Sequence, residues 1–216
     1  LTSGTDSVYV GHLAGGVGVI TAGGNVVIGK SAALNATGMI TSVFIGKQAG
    51  GIGLVNGANN VAIGSAAGAD LTSGASNVLI GADAGANMTI NTHCIAIGHG
   101  ALDAASSSEH YNVAIGLNAL GAEASGADYC IAVGVNALAL QDDNANVKNT
   151  AIGGLAGDTL EGGTNNTYLG YLSGSASVDT NFNTAVGHMA YAKGTGANNT
   201  CIGSVAGSST ANTTDA

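Results

Sequence analysis

Apolar and polar positions along this chain fall into a short phrase that recurs from end to end: a small polar residue, an aliphatic one, a variable one, a second aliphatic one, then glycine. Asn60-Val61-Ala62-Ile63-Gly64 and Asn112-Val113-Ala114-Ile115-Gly116 are two of twelve copies, and successive phrase glycines lie 16 to 19 residues apart. Alternation with period two, filled by β-branched residues, predicts a short strand in each copy. The glycine ends the strand, since it alone turns freely into positive φ. A fixed period of this size predicts coils stacked one on the next. The expected fold is therefore an all-β parallel β-solenoid of about 12 coils of 16–19 residues, spanning residues 1–216 as one repeat region, with 208–216 a tail or junction.

Residues two apart share a strand face, and the flanking aliphatics are expected to point into the coil. Three residues past the glycine stands alanine in eleven copies (Ala14, Ala32, Ala49, Ala67, Ala84, Ala101, Ala119, Ala137, Ala156, Ala190, Ala206) and Ser173 in the other, which predicts a narrow corner. A second strand of each coil is expected in the variable stretch of about ten residues that follows. That stretch also absorbs the changes in period, as loops do.

By the same alternation, the middle column is expected to face outward. It reads Tyr9, Val27, Phe44, Ala62, Leu79, Ala96, Ala114, Ala132, Ala151, Tyr168, Ala185 and Cys201, with no charged residue and no Asn, Gln, Ser or Thr. An unbroken apolar stripe marks a buried contact, so these residues are predicted to meet other copies of the chain. The polar column opening each phrase has Asn in eight copies, Ser in two and Cys in two. It is read as a structural hydrogen-bonded stack.

Composition narrows the function classes. Hydrophobic residues make up 45% and charged ones 8%, too apolar for disorder. The 37 glycines lack the every-third spacing of collagen. Apolar runs are short and cut by glycine, so no membrane-spanning helix and no membrane insertion are expected. The net charge of −9 disfavours a nucleic-acid partner. Leu1 opens the chain within the pattern, which suggests a segment of a longer fibre.

Candidate chemistry is sparse. Cys94 and Cys130 share a column two coils apart, roughly 10 Å, beyond disulfide reach; with Cys201 they are read as small apolar fillers. His12, His99 and His188 recur after the phrase glycine but lie many coils apart, so no metal site is assigned. Gln141-Asp142-Asp143-Asn144, in the longest connector, is read as a wet acidic turn. Thr150, Thr167, Thr184 and Thr200 align, yet are placed in the inward column, which argues against an ice-binding array. No paired carboxylates, Ser-His-Asp set or phosphate loop appears, so neither an enzyme nor a cofactor is expected. Tyr111, Tyr129, Phe182 and Tyr191, near the connectors, are the candidate receptor contacts.

The phrase Asn-x-Val/Thr-x-Ile/Val-Gly-x-x-Ala, as in Asn60 to Ala67 and Asn112 to Ala119, resembles the head repeat of trimeric autotransporter adhesins. Variants such as Asn165-Asn166-Thr167-Tyr168-Leu169-Gly170 look more like the related repeats of bacteriophage tail fibres. The resemblance implies a left-handed parallel β-roll with three chains around one axis. It also implies a structural and host-attachment role in a virion tail fibre, with other fibre or virion proteins and host surface glycan as partners. A bacterial cell-surface adhesin head is the alternative, and a polysaccharide-degrading tailspike the more distant one. Adhesin heads use a shorter and more uniform repeat than this one, and the longer loops favour the phage form.

Overall fold

The computed structural model describes residues 6–16, 23–105, 109–122, 126–142 and 146–208. Of the expected tail at 208–216, all but Ser208 lies outside them. Twelve strands of three residues form one parallel sheet in chain order: β1 (Val8–Val10), β2 (Val26–Ile28), β3 (Val43–Ile45), β4 (Val61–Ile63), β5 (Val78–Ile80), β6 (Ile95–Ile97), β7 (Val113–Ile115), β8 (Ile131–Val133), β9 (Thr150–Ile152), β10 (Thr167–Leu169), β11 (Thr184–Val186) and β12 (Thr200–Ile202). Each strand comes from one copy of the phrase and pairs with the next copy in the same register, as in Val61 with Val78, Ala62 with Leu79 and Ile63 with Ile80. The result is a parallel β-solenoid of about eleven turns. At ~4.8 Å per step the sheet is roughly 53 Å long.

The anticipated second strand is absent among the described residues. Among the described residues the far side of each coil is made of turns, with a single isolated parallel bridge between Thr92 and His110. These turns still stack through main-chain bonds, for example Gln48 N–H to Lys30 O at 3.0 Å and Asn59 N–H to Ile40 O at 2.9 Å. Many of the turn residues, Gln48 and Asn59 included, take left-handed φ near +60°. Turn chemistry therefore closes the coil where the sequence suggested a strand.

The strand faces are the reverse of the expectation. The middle column points inward: Val27, Phe44, Ala62, Leu79, Ala96, Ala114, Ala132, Ala151, Tyr168 and Ala185 are completely buried, Cys201 is buried and Tyr9 is partly so. Side chains sealed inside one coil cannot meet another chain, so this column is not an inter-chain contact. The flanking aliphatics face outward and are half-buried to exposed, as are Thr150, Thr167, Thr184 and Thr200.

Space explains the inversion. The coil is so narrow that the inward strand residue and the residue six positions later, four past the glycine, share one slot. Where the strand supplies a large side chain the turn supplies glycine: Phe44 with Gly50, Leu79 with Gly85, Tyr168 with Gly174. A β-carbon on Gly174 would stand 2.7 Å from the Tyr168 ring. Where the strand supplies alanine, the turn supplies the bulk, as Ala96 with Leu102, Ala114 with Leu120 and Ala132 with Leu138, all buried. Ala62 and Ala151 stand opposite Gly68 and Gly157, and side chains of other coils reach those glycines, Leu79 at Gly68 and both Leu138 and Tyr168 at Gly157. Interiors pack to such complementarity because voids and overlaps both cost stability.

Two features hold the coils at this spacing. The alanine corner is buried from Ala32 to Ala190, with Ala14 and Ala206 of the end coils partly so, and Ser173 keeps its place by donating its hydroxyl to Ala185 O at 2.9 Å. The phrase glycines form a column of their own. Gly64 has φ +144°, and a β-carbon there would lie 2.2 Å from the carbonyl oxygen of Gly81 in the next coil. Only glycine meets both conditions.

Candidate functional site

The asparagine column is the polar spine of the interior. Asn60, Asn77, Asn112, Asn149, Asn166 and Asn183 are all buried. The Asn77 side-chain oxygen accepts the Cys94 N–H of the next coil at 2.9 Å, and its amide donates to Asn91 O at 2.8 Å. Asn166 repeats the pattern, accepting from Asn183 N–H at 2.9 Å and donating to Thr180 O at 2.6 Å. Each amide thus joins strand to connector and coil to coil. Buried polar groups need such partners, and these residues are structural, as the sequence indicated.

The three cysteines are buried thiols outside any disulfide. Burial pushes the Cys94 thiol up from its ordinary 9.0 to about 11, against a partial lowering by the Asn112 backbone. Such a thiol stays protonated and inert near neutral pH. Beside it Glu109 is fully buried, accepting from the Asn91 side-chain amide and, at 3.1 Å, from Gly126 N–H. Gln141 is also interior, donating to Glu161 O and accepting from Asn149, both at 2.6 Å. Asp142 beside it is exposed, while 143 and 144 lie outside the described residues.

The outward sheet face is the largest chemical feature of the surface. Two columns, the first and third strand positions, run its length. They are aliphatic throughout β1 to β8, and from β9 to β12 threonine takes the first position while the third stays aliphatic. Exposure within one chain reaches 53% at Val10, 44% at Leu169 and 71% at Ile202. Parallel sheets are normally covered on both faces. An aliphatic stripe of this extent is beyond what isolated surface hydrophobics account for.

Two columns border this stripe. The leading border is the residue before each spine position and the trailing border is the residue after each phrase glycine. On the leading border Tyr111, Tyr129 and Phe182 are exposed. Tyr111 and Tyr129 stack with ring centres 5.1 Å apart and planes 7° apart, and His93 stacks on Tyr111 at 5.3 Å. Phe182 stands in the same column three coils beyond Tyr129. Tyr191 is a correction: it is buried, filling the slot opposite Ala185, with its hydroxyl donating to Gly196 O at 2.5 Å and accepting from Asn199 at 3.0 Å. It cannot touch a receptor.

The trailing border carries His12, His99 and His188, all exposed. His188 stacks on Tyr171 at 5.8 Å, and His99 lies 3.9 Å from Asp83. Among the described residues no three metal-ligating side chains come together. On the turn side, an open hollow of about 340 Å³ is lined by Asp103, Asn118, Asn136 and Leu140 among others. Burial, and then the charge of Asp83, raise the Asp103 carboxyl above its usual range, partly offset by its own main-chain N–H. No helix among the described residues is long and apolar enough to cross a membrane.

The sequence pattern identified the right strands and missed which columns form this face. The reciprocal sizes six residues apart are the signal that fixes it. Comparison of the chain with protein-family models, with curated proteins and with solved structures finds no match in any of the three.

Proposed function

We propose that the chain is a rod segment of a homotrimeric fibre of the bacteriophage tail-fibre kind, giving rigid reach and displaying its connectors for host attachment. One observation carries the reading: the outward face of a parallel sheet, aliphatic in both flanking columns from β1 to β8 and in one of them to β12, which would be buried if those columns met other copies. The resemblance of the phrase to trimeric adhesin heads and phage fibres supports three as the number of copies. The interface proposed here uses the columns typified by Val61 and Ile63, in place of the middle column typified by Ala62. Identical surfaces on three chains raise avidity without strong single contacts, which suits attachment to a repetitive host glycan. No catalytic step is part of the reading.

Light scattering on the purified chain tests it. A particle of three 20.6 kDa chains is expected, and a monomer at micromolar concentration overturns it. Replacing Val61, Ile63, Val78 and Ile80 together by serine should yield a folded monomer, because none of these side chains fills the interior.

A further inference from the structure

The borders of the outward face are not uniform along the rod. At most coils at least one border is small, polar or charged. At the seventh and eighth coils both are apolar. Tyr111 leads and Leu117 trails the first of these coils, and Tyr129 leads and Val135 trails the second, with exposures of 48%, 44%, 48% and 49%. The apolar band here widens from two residues to four: Tyr111, Val113, Ile115 and Leu117, then Tyr129, Ile131, Val133 and Val135.

The ring geometry says what this patch does not fit. A ligand ring stacks only on an open aromatic face, and both faces of Tyr111 are taken, by His93 at 5.3 Å and by Tyr129 at 5.1 Å. What the stack presents sideways is a ridge of ring edges. A ridge of this kind suits a flat aliphatic surface of matching pitch, and Leu117 and Val135 provide one at the same coil spacing.

We propose that neighbouring copies are locked parallel and in register by a seam at the seventh and eighth coils, where the Tyr111–Tyr129 stack of one copy lies over Leu117 and Val135 of the next. This rests on the assembly proposed above. Around any axis parallel to the rod, the leading border of one copy meets the trailing border of its neighbour. In register, Tyr111 then faces Leu117 and Tyr129 faces Val135. At the first coil Asp6 faces His12, and no coil sets two lysines or two carboxylates together. A slip of one coil sets one tyrosine against Gly154 or His99. An antiparallel pairing of full overlap brings like border to like, leaving Tyr129 on Ser76 and Val135 on Ala82. Among arrangements that overlap along all twelve coils, only the in-register parallel one pairs all four large apolar side chains with one another; an antiparallel pairing that set Tyr111 on Tyr129 would leave two coils of each copy uncovered.

The test is site-directed cross-linking of the full chain with a short bis-maleimide. Tyr129→Cys/Val135→Cys is expected to give covalent oligomers whose ladder stops at the number of chains in the particle. Tyr129→Cys/Ser76→Cys, which reports the fully overlapped antiparallel arrangement, is expected to give none. The buried native cysteines make the unsubstituted chain the blank. Leu117→Ser/Val135→Ser, on exposed sites, is expected to weaken assembly at least tenfold with an unchanged circular-dichroism spectrum. If the unsubstituted chain is a monomer, the assembly itself fails and the seam with it. An oligomer that is not trapped through Tyr129→Cys/Val135→Cys, that is trapped through Tyr129→Cys/Ser76→Cys, or that is indifferent to the serine pair leaves the assembly standing and overturns the seam alone.

Discussion

The two faces of each strand differ in a direction opposite to the familiar one. The inward column holds six alanines and only a few large plugs, next to a spine of amides, while the outward columns hold valine, isoleucine and leucine, with threonine at four first positions. In a wide core the larger aliphatics lie inside. Here the turns come so close to the sheet that the interior admits one large side chain per slot. Bulk is displaced to the surface, where it can be covered only by something else. Size governs the inside of this rod, and hydrophobicity governs its outside.

That contrast can be broken hardest at the phrase glycines. Gly64→Ala places a β-carbon against Gly81 O in a backbone region alanine avoids, and is expected to cost roughly 3 kcal/mol or more. The change should appear as a large drop in the urea midpoint. Gly38→Ala, whose β-carbon finds its nearest neighbour at 3.4 Å, should change stability by no more than about 0.5 kcal/mol.

Exchanging bulk within one slot sharpens the comparison. Leu120→Ala leaves a void beside Ala114 and should cost about 2–5 kcal/mol, while Ala114→Leu alone overpacks at about 1–3 kcal/mol. Made together they return the volume to the slot, so the double variant should be more stable than either single one in thermal melts. If the two costs simply add, the shared slot is wrong.

The smallest effect belongs outside. Val61→Thr copies what β9 to β12 already carry at that position. In a chain held monomeric by dilution it should shift the melting free energy by less than about 0.5 kcal/mol, because no interior contact is lost.

Much of this fold is legible in the sequence, and the limits have physical causes. The strands, the glycine turn, the alanine corner and the asparagine spine each follow from local chemistry repeated in register. Alternation, however, has parity without sign: it places Val61 and Ile63 opposite Ala62 and does not say which side is inside. The sign is written in pairs such as Ala96 with Leu102 and Phe44 with Gly50, where size is exchanged across six residues. Tyr191 goes astray for the same reason, since it looks like a loop aromatic until Ala185 is recognised as the other half of its slot. The missing second strand reflects left-handed turn residues such as Gln48 and Asn59, which need no glycine and so leave little trace in composition.

Because every winding is hydrogen-bonded to the next at the same places, the chain behaves as a ruler graduated in single repeats. Duplicating or deleting one whole repeat would change reach by ~4.8 Å and leave every other junction as it was. Length can therefore drift during evolution in uniform increments.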